Sequence, residues 1–532
     1  MKFIYKIART EDEFNKIHRL NYKTFVDEIP QHTENESKIL VDKFHEENTY
    51  LICLEDEQLV GMIAVRGNRP YSLDYKLPNL EDYLPIKTSK PCEIRLLAVE
   101  KEYRNNGRVF FGLAQLMSNY CLNEGYDLAL ISGTTRQEKL YSQMGFKPFG
   151  PLLGSVDAAF QPMYLTKQTF NESLAGRILR DPVSFLPGPV LIQQEVTEAF
   201  IQKPISHRSN EFYFRMKQAR EQLCSLTNSK YAEILIGTGT LANDVIAAQL
   251  SLLSGKGLIL SNGEFGKRLI EHANRAGLHF TRLEKNWGVP ILNSEVEEVL
   301  SKENFAWIWA VHCETSTGML QDIEGLKKVA YKNNIKLCLD CISTIGAVKL
   351  DLHDIYFASG VSGKAIGSYN GLSFVFHNHE VLPNYTLPRY LDLGMYNKYE
   401  SIPYTHSSNL LEALSLALQK YENDEYYGEI KSRYQTIRTK IEEIGLTILT
   451  NQEESSPAIM TVLLPETISS KDFGDDMAIQ GYLLHYESYY LQEMKWLQIA
   501  CIGKVEIKHI NKMLSTFERL LNQYVRKGEP TI

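Results

Sequence analysis

One lysine lies among small residues between two apolar segments of the sequence. The run is Tyr356-Phe-Ala-Ser-Gly-Val-Ser-Gly-Lys364-Ala-Ile-Gly-Ser-Tyr-Asn-Gly-Leu-Ser-Phe-Val-Phe376. This pattern predicts a strand, a tight turn that carries Lys364, and a second strand. A lysine amine held in this way can form a Schiff base with an aldehyde. Most lysines in glycine-rich turns are solvated surface residues, so the role of Lys364 depends on what the rest of the chain supplies.

Other predicted strands end in polar or aromatic residues. The loop Gly237-Thr238-Gly239-Thr240 joins a strand to a helix, and its free amides and hydroxyls suit a phosphate group. Phe265 lies at the next strand-to-helix turn, the run His312-Cys-Glu-Thr315-Ser316-Thr-Gly318 follows a later strand, and Asp340 ends another. Ligands bind at the carboxyl ends of strands in open α/β sheets, and a buried aspartate there needs a partner. The pattern therefore predicts one ligand site at these strand ends.

Taken in order, these stretches resemble the class V aminotransferases of PLP fold type I over about residues 185–527. The run His312-Cys-Glu-Thr-Ser-Thr-Gly-Met319 is the most specific match, and Pro187-Gly-Pro189 and Ser206-His-Arg-Ser-Asn-Glu-Phe212 add the N-terminal pieces of the family. Within the family, the resemblance is nearest to the 2-aminoethylphosphonate–pyruvate transaminases. It implies an α/β fold with a large cofactor-binding domain and a small C-terminal domain, and a homodimer.

The resemblance also implies a role for each matched residue. Lys364 would hold pyridoxal 5′-phosphate as a Schiff base and then move a proton, while Asp340 would pair with the protonated pyridine nitrogen. The other implied cofactor contacts are Thr238, Gly239 and Thr240 at the phosphate, Phe265 on the ring face, Thr315 or Ser316 at the phenolic oxygen, and Ser343 and Ser362 as secondary contacts.

One position departs from the family pattern. The family places an arginine near the C-terminus, in a pattern like φ-R-I-G-x-x-G, where it grips the substrate carboxylate. The matching stretch here is Trp496-Leu-Gln498-Ile-Ala-Cys-Ile-Gly503, so an uncharged glutamine takes that place. The expected substrate is therefore a larger or decarboxylated amine, a keto compound, or an acid held by Arg208 or Arg389 instead.

The first part of the chain, to about residue 168, has a different pattern. The run Thr10-Glu-Asp-Glu-Phe14 predicts the start of a helix that reaches about Phe25, and strands are predicted at 50–53, 59–65, 93–99 and 127–131. The turn Arg104-Asn-Asn-Gly107-Arg108-Val109 opens a helix, whose free backbone amides favour a pyrophosphate. A later helix is expected to end at glycine in Tyr141-Ser-Gln-Met-Gly145-Phe146.

This order resembles the GNAT acyltransferase superfamily over residues 1–168. The runs Tyr22-Lys-Thr-Phe-Val-Asp-Glu28 and Glu93-Ile-Arg95 lean toward its N-acyl amino acid synthase and acyl-homoserine-lactone synthase branch. The resemblance implies that Arg104 and Gly107 bind the pyrophosphate of acyl-CoA, although Val109 replaces the small residue that ends the family's loop. Glu93 is the candidate base that deprotonates the amine, by its position. The alternative is that Glu93 and Arg95 form a structural ion pair.

Length and composition set the frame for these motifs. The chain has 532 residues, of which 44% are hydrophobic and 23% charged, as in ordinary globular proteins of several domains. The net charge of −8 gives no reason to expect nucleic acid binding. No signal peptide or membrane span is evident, and the eight scattered cysteines indicate a reduced, cytoplasmic protein without a zinc site. The predicted domains are 1–168, a linker at 169–184, a cofactor-binding domain at 185–395 and a small domain at 396–532.

Three hypotheses follow for the function. The leading one is a PLP-dependent aminotransferase, which exchanges an amino group between an amine or amino acid and a 2-oxo acid, fused to an N-acyltransferase. One half would make an amine and the other would acylate it, with acyl-CoA or an acyl carrier protein as donor. In the second, Gln498 marks a PLP-dependent lyase or decarboxylase with a regulatory or acyl-CoA-binding N-terminal domain. In the third, one domain is inactive and serves as a binding module.

Overall fold

The computed structural model describes residues 3–29, 32–104, 107–155, 158–179 and 181–528. The chain divides into two compact units. The first contains residues 1–183, 471–483 and 516–532, and the second contains residues 184–470 and 484–515. In the described part of the chain, no helix is long and apolar enough to cross a lipid bilayer.

The first 183 residues form short strands and helices. In chain order, they are β1 (Phe3–Ile7), α1 (Glu11–Tyr22), β2 (Thr49–Glu55), β3 (Gln58–Arg66), α2 (Ser72–Lys76), α3 (Leu80–Tyr83), β4 (Pro91–Val99), α4 (Arg108–Asn123), β5 (Leu128–Thr134), α5 (Glu138–Gln143), β6 (Lys147–Pro148), β7 (Leu153–Ser155), β8 (Ala158–Leu165), α6 (Lys167–Glu172), α7 (Leu174–Ile178) and β9 (Val183–Ser184). A π-helical turn, Lys23–Glu28, extends α1. The predicted start of α1 is confirmed, because the Thr10 hydroxyl accepts a hydrogen bond from the Glu13 amide as its N-cap.

The sheet of the first unit has the strand order β1-β2-β3-β4-β5-β8-β6, with β7 beside β8. Its neighbours are antiparallel except for β4 and β5, which are parallel and pair only at Pro91–Glu93 with Leu128–Leu130. Beyond Glu93 the backbone of β4 is kinked, because Leu96 adopts a φ of 51° in the left-handed region and the register of β4 against β3 shifts. The described parts of β4 and β5 diverge there and leave a cavity between them.

Residues 471–483 belong to the first unit, where they contact the first residues of the chain. The Asp476 carboxylate accepts a hydrogen bond of 2.9 Å from the Ile7 amide and forms an ion pair of 2.8 Å with Arg9. The phenol of Tyr524 also donates to Asp476, at 2.7 Å. The sequence analysis predicted one small domain at 396–532, whereas residues 471–483 and 516–532 group with the first unit. A pattern of apolar residues does not reveal a polar partner that lies more than 400 residues away in the sequence.

The elements that follow along the chain alternate helices and strands. They are α8 (Gln194–Phe200), α9 (Asn210–Thr227), β10 (Tyr231–Ile236), α10 (Gly239–Leu250), β11 (Gly257–Ser261), α11 (Glu264–Arg275), β12 (Phe280–Glu284), α12 (Asn293–Lys302), β13 (Trp307–Val311), β14 (Cys313–Glu314), β15 (Met319–Leu320), α13 (Ile323–Lys332), β16 (Lys336–Asp340), β17 (Phe357–Val361), β18 (Leu372–His377), α14 (Leu393–Lys398), α15 (Ser408–Leu418), α16 (Glu425–Glu443), β19 (Thr447–Ile448), β20 (Ile459–Leu463), α17 (Ser470–Ile479), β21 (Tyr482–Leu483), α18 (Tyr489–Glu493), β22 (Trp496–Ala500) and α19 (Ile507–Gly528).

The large sheet of the second unit has the order β10-β18-β17-β16-β13-β11-β12. Only β18 runs against its neighbours, and the other pairs are parallel. Strand β13 is buried along its whole length, as expected for a parallel strand covered on both faces. The carboxyl ends of β10, β11, β13, β16 and β17 therefore lie on one edge of the sheet, as the sequence predicts. A smaller antiparallel sheet, β19-β20-β22, follows.

Candidate active sites

Lys364 lies in the turn between β17 and β18, and residues from three other strand ends surround its amine. The Nζ atom donates a hydrogen bond of 2.8 Å to the hydroxyl of Ser343, which in turn lies 2.5 Å from the hydroxyl of Thr315. The ring centroid of Phe265 lies 5.5 Å from the same Nζ atom. Burial lowers the pKa of Lys364, and the negative charge of Asp340 opposes that change. The structure thus brings together residues that the sequence analysis assigned to one site.

The turn that carries Lys364 is held by hydrogen bonds to its carbonyls. The Ala365 carbonyl accepts two, each 2.9 Å long, from the Lys420 ammonium and the Tyr421 phenol. The Ser362 hydroxyl donates to the carbonyls of Tyr369 and Leu372, at 2.6 and 3.1 Å. Ser362 is fully buried. In this arrangement Ser362 closes the turn, and its predicted contact with a cofactor stays a prediction. Sequence reasoning missed Lys420 and Tyr421, which are more than 50 residues away from the turn.

Asp340 ends β16 as a buried carboxylate. Its Oδ2 atom accepts a hydrogen bond of 2.9 Å from the Asn243 amide, and its Oδ1 atom accepts one of 3.0 Å from the Ile342 backbone. Among the described residues, no cation lies within ion-pair distance of this carboxylate, and the Oδ1 atom of Asn243 is buried without a partner. A buried carboxylate without a counter-charge is unstable unless a cation completes it, and a protonated ring nitrogen would do so.

Helix α10 starts at the predicted phosphate loop with its N-terminus uncapped. Thr238 is the N-cap residue, yet its side chain makes no capping hydrogen bond, whereas the Ser209 hydroxyl caps α9. The first amides of a helix have no partner within the helix, so those of Gly239 and Thr240 are available to an anion. Gly239 leaves room for Ile342, because a Cβ atom at this position would lie 2.5 Å from Ile342 Cδ1 and would displace that side chain. Together with Lys364, Asp340 and Phe265, this cradle fits pyridoxal 5′-phosphate.

Of the two candidates for the phenolic oxygen, Ser316 is engaged elsewhere. Its hydroxyl donates to the Glu314 carboxylate and accepts a hydrogen bond of 3.1 Å from the Glu264 amide. Glu314 also accepts from the amides of Phe265 and Gly266, at 3.1 and 3.0 Å, so it caps the start of α11. Burial raises the pKa of Glu314. The geometry favours Thr315, while Ser316 and Glu314 orient the helix that carries Phe265.

Gln498 is fully buried on β22, and its side-chain amide is satisfied by the protein. The Nε2 atom donates to the carbonyls of Thr315 and Ser316, at 2.7 and 3.1 Å, and to the Thr461 hydroxyl at 2.9 Å. The Oε1 atom lies 2.8 Å from Nδ1 of His485. Gln498 therefore links the 315–316 loop to the small sheet, which leaves it little capacity to bind a substrate. The alternatives Arg208 and Arg389 are both exposed, and their substrate roles stay predictions.

A cavity of about 940 Å³ lies within the first unit, between β4 and β5. Apolar residues of both strands line it, and Arg104 lies at the end near α4. The Arg104 guanidinium forms an ion pair of 2.7 Å with Glu28 and donates to the Val99 carbonyl at 2.7 Å. Gly107 precedes α4 with a φ of 67°, which favours glycine. Asn105 and Asn106, which complete the predicted pyrophosphate loop, lie outside the described residues.

Val109 lies on the buried face of α4. Its side chain is fully buried, and Gly61 on β3 leaves room for it, since a Cβ atom on Gly61 would lie 2.7 Å from Val109 Cγ1. The side chain thus packs against the sheet.

Glu93 is fully buried and accepts four hydrogen bonds. Its carboxylate accepts from the Ser72 amide at 2.9 Å, the Ser72 hydroxyl at 2.5 Å and the Leu73 amide at 3.1 Å, and it pairs with Arg95 at 3.2 Å. Ser72 and Leu73 begin α2, so Glu93 anchors the start of that helix. The carboxylate does not line the cavity. This geometry favours the structural alternative over the base that the sequence proposed.

Comparisons with known proteins match both parts of the chain to known families. Residues 192–481 match the family profile "Aminotransferase class-V", and residues 16–166 match "N-acyl amino acid synthase FeeM". The bifunctional phosphonoacetaldehyde hydrolase/aminoethylphosphonate transaminase of Clostridioides difficile is 25% identical to this chain. The match covers 64% of this chain and 57% of the Clostridioides protein. The 2-aminoethylphosphonate–pyruvate transaminase of Pseudomonas fluorescens Pf-5 is 25% identical over 65% of this chain and 98% of its own.

Solved structures share the fold of the second unit. The alanine–glyoxylate aminotransferase of Nostoc sp. aligns over 64% of this chain and 96% of its own, with 23% identity and a TM-score of 0.60. The pyridoxamine–pyruvate aminotransferase of Mesorhizobium loti aligns over 65% and 93%, with 19% identity and a TM-score of 0.61.

The fold and the lysine site define the second unit as an enzyme of PLP fold type I. The chain belongs to the class V aminotransferase family, whose members depend on PLP. Its N-terminal part is a domain of the N-acyl amino acid synthase type, so the chain fuses an aminotransferase to an acyltransferase, as the sequence analysis predicted.

Proposed function

We propose that the chain makes an N-acylated amine by two reactions carried out in separate sites. The second unit exchanges an amino group between an amine or amino acid and a 2-oxo acid. The first unit then transfers an acyl group from acyl-CoA or an acyl carrier protein to the amine. One observation carries the proposal: a buried amine lies near a buried carboxylate that has no counter-charge among the described residues. The residues concerned are Lys364, Ser343, Thr315 and Asp340.

In the aminotransferase site, each residue of the chain has a distinct task. Pyridoxal phosphate, when bound, supplies an electron sink for the carbanion at the substrate carbon. The Lys364 amine removes and returns the proton at that carbon, and its lowered pKa helps it to be neutral when it acts as a base. Asp340 holds positive charge at the ring nitrogen, and Asn243 keeps that carboxylate oriented. Thr315 would bond the ring oxygen, Ser343 would stay a secondary contact beside the Lys364 amine, and the start of α10 would hold the phosphate.

In the acyltransferase site, the amine nitrogen attacks the thioester carbonyl. A C–N bond forms, the C–S bond breaks and the thiolate leaves with the electron pair, and the proton lost by the amine ends on that thiolate, so the products are an amide and a free thiol. The cavity between β4 and β5 admits the acyl chain and thioester, with the pyrophosphate at Arg104 and Gly107. The unpaired edge of β4 beyond Glu93 offers backbone amides that can polarise the carbonyl.

Two measurements test the proposal. The purified protein is expected to show a visible absorption band from bound cofactor, and Lys364→Ala should lose that band while it keeps its folded circular dichroism spectrum. Amino donors are then screened against pyruvate and glyoxylate, with acyl-CoA present and products identified by mass spectrometry. A wild-type protein that binds no PLP would contradict the aminotransferase proposal. A protein that transaminates but acylates no amine would contradict only the second step.

We also propose a cytoplasmic homodimer. The eight cysteines are all unpaired, which supports a reducing compartment. The resemblance to fold type I enzymes supports the dimer, and sedimentation equilibrium of the PLP-loaded protein tests it.

A further inference from the structure

A serine, a histidine and a glutamine form a chain of hydrogen bonds in the second unit. The Ser488 hydroxyl lies 2.8 Å from Nε2 of His485, and Nδ1 of the same ring lies 2.8 Å from Oε1 of Gln498. A serine hydroxyl beside an imidazole whose other nitrogen is hydrogen-bonded is the arrangement that activates serine nucleophiles on unrelated folds. The reaction proposed for Lys364 uses neither Ser488 nor His485.

The backbone places the histidine opposite the glutamine. His485 and Gln498 form an isolated antiparallel bridge, in which each backbone amide donates to the carbonyl of the other residue, at 3.0 and 2.8 Å. Directly opposed residues of an antiparallel pair hold their side chains next to each other on one face. The contact between the imidazole and the side-chain amide therefore follows from the pairing of the two backbones.

The contacts of Gln498 determine which ring nitrogen of His485 carries the proton. The Nε2 atom of Gln498 donates to three oxygens of the protein, so this end of the amide is the donor. Its Oε1 atom only accepts, and Nδ1 of His485 must supply that proton. Nε2 of the imidazole keeps a lone pair and accepts a hydrogen bond from the Ser488 hydroxyl. Gln498 is thus a positioning residue that orients a base toward the serine.

The imidazole is neutral at neutral pH, as a general base must be. Burial lowers the pKa of His485 from its ordinary value, the hydrogen bond to Gln498 opposes that change, and the positive charge of Lys364 adds to it. Because the charge of Lys364 acts on this ring, the hydrogen-bonded chain lies near the candidate aminotransferase site.

The Ser488 side chain is partly exposed and does not serve the helix that it precedes. Ser488 is the N-cap residue of α18, yet its side chain makes no capping hydrogen bond. It is half-buried, next to Tyr489, which is 80% exposed. The Tyr490 phenol hydrogen-bonds with the same serine, and burial raises the pKa of Tyr490 to about 12, so the phenol keeps its proton at neutral pH. Such a phenol can donate to the oxyanion that forms when a nucleophile attacks a carbonyl.

We propose that Ser488 is a second nucleophile of the second unit and takes an acyl group from an activated ester or thioester. The Oγ atom attacks the acyl carbonyl while His485 takes its proton, and a C–O bond forms at the serine. The bond from the carbonyl carbon to the leaving oxygen or sulfur breaks, and the leaving group departs with the electron pair and receives the proton from His485. Water then attacks the acyl-serine with His485 as base, which releases a carboxylic acid and restores the hydroxyl.

Covalent labelling of the PLP-loaded, full-length protein tests the proposal. An alkyl fluorophosphonate should label Ser488 of the wild type, as mapped by peptide mass spectrometry, and phenyl thioacetate should acetylate the same residue. Ser488→Ala should lose both labels at this peptide, and His485→Gln should slow labelling by about 100-fold or more, because the general base is lost. Ser301→Ala, at an exposed serine of α12, is the matched control and should be labelled like the wild type.

The pH dependence of the labelling rate tests the base directly. The rate in the wild type should already be maximal at pH 7 and should fall by half only below pH 6.5, the ordinary pKa of histidine, because the imidazole must be neutral to take the proton. This profile decides the role of the histidine even if His485→Gln does not fold.

Three results would overturn the proposal. One is equal labelling of the wild type and Ser488→Ala, and another is an unchanged labelling rate in a folded His485→Gln. The third is a rate that keeps rising in proportion to hydroxide from pH 7 to pH 9, as expected for a serine without a base. These readouts need neither transamination nor acyl transfer by the first unit, so they remain decisive if the proposed function fails.

Discussion

Lys420 gives a prediction that links the pH dependence of stability to the catalytic turn. Its ammonium donates to the Ala365 carbonyl, next to Lys364, and lies 4.3 Å from the ring centroid of Tyr426. Burial lowers the pKa of Lys420 to about 7, and the positive charge of Arg433 adds to this effect. Glu429 opposes it, but it already pairs with Arg433 at 2.5 Å. We consider the change Lys420→Met, which keeps the aliphatic stem and removes the charge.

The sign of the effect follows from the protons bound in each state. An unfolded lysine keeps its proton up to about pH 10, whereas the folded protein releases the Lys420 proton near pH 7. The unfolded state therefore binds more protons between these values, so this group makes the wild type more stable as the pH rises. The free energy of unfolding of the wild type should rise by about 1.4 kcal/mol per pH unit above pH 7 relative to that of Lys420→Met. The difference between the two proteins should therefore change by about 2–3 kcal/mol between pH 6 and pH 9.

The assay is urea unfolding at pH 6, 7, 8 and 9, followed by tryptophan fluorescence. All four tryptophans, Trp287, Trp307, Trp309 and Trp496, lie in the second unit, so the signal reports on the unit that contains Lys420. Lys431→Met, at an exposed position on α16, should follow the wild type at every pH. A difference between wild type and Lys420→Met that stays constant from pH 6 to pH 9 would refute the reasoning, because Lys420 would then titrate like a solvated lysine.

Three further substitutions test roles that the structure assigns. Glu93→Gln should destabilise the first unit by about 1–3 kcal/mol in hydrogen exchange, because α2 loses its anchor, and a lost acidic limb in the pH–rate profile without destabilisation would restore the base hypothesis. Gln498→Leu should cost about 2–4 kcal/mol in urea unfolding, since it leaves His485 and two carbonyls unpaired, while a changed substrate KM at unchanged stability would indicate substrate binding. Gly61→Ala should lower the free energy of unfolding by about 1–3 kcal/mol, because the new methyl group clashes with Val109, and the double variant with Val109→Ala should recover part of that loss. If the effects of the two substitutions simply add, the two residues are not in contact.

The sequence predicted the aminotransferase site well because its parts follow the ends of parallel strands. Gly239 and Phe265 lie at the helix starts that follow β10 and β11, Thr315 lies in the loop after β13 and β14, and Asp340 ends β16. The topology of the large sheet places the ends of β10, β11, β13 and β16 on one edge. Each of these local patterns is weak alone, and the resemblance to the class V aminotransferases joined them into one predicted site. In the first unit, capping residues predicted the start of α1, and apolar runs predicted the strands.

The sequence analysis missed hydrogen bonds between a side chain and residues that lie far away along the chain. Gln498 donates to the carbonyl of Thr315, 183 positions earlier, and Lys420 donates to Ala365 across 55. Glu93 accepts from residues 20 and 21 positions earlier, in a helix too short to have an amphipathic pattern. These partners depend on how loops pack, and no periodicity in the sequence encodes that.

Glu93 and Glu314 show why a carboxylate near a predicted site need not take part in the chemistry. Each follows or lies in a strand, is fully enclosed, and accepts two backbone amides from the first turn of a neighbouring helix. A carboxylate whose oxygens accept these backbone amides is held in place, and it anchors the start of the helix. The anchored helix then presents a second residue, Lys76 from α2 and Phe265 from α11. In both units the acid fixes the start of a helix, and that helix carries a residue of a candidate site, since Lys76 lines the cavity and the ring of Phe265 lies 5.5 Å from the Lys364 amine.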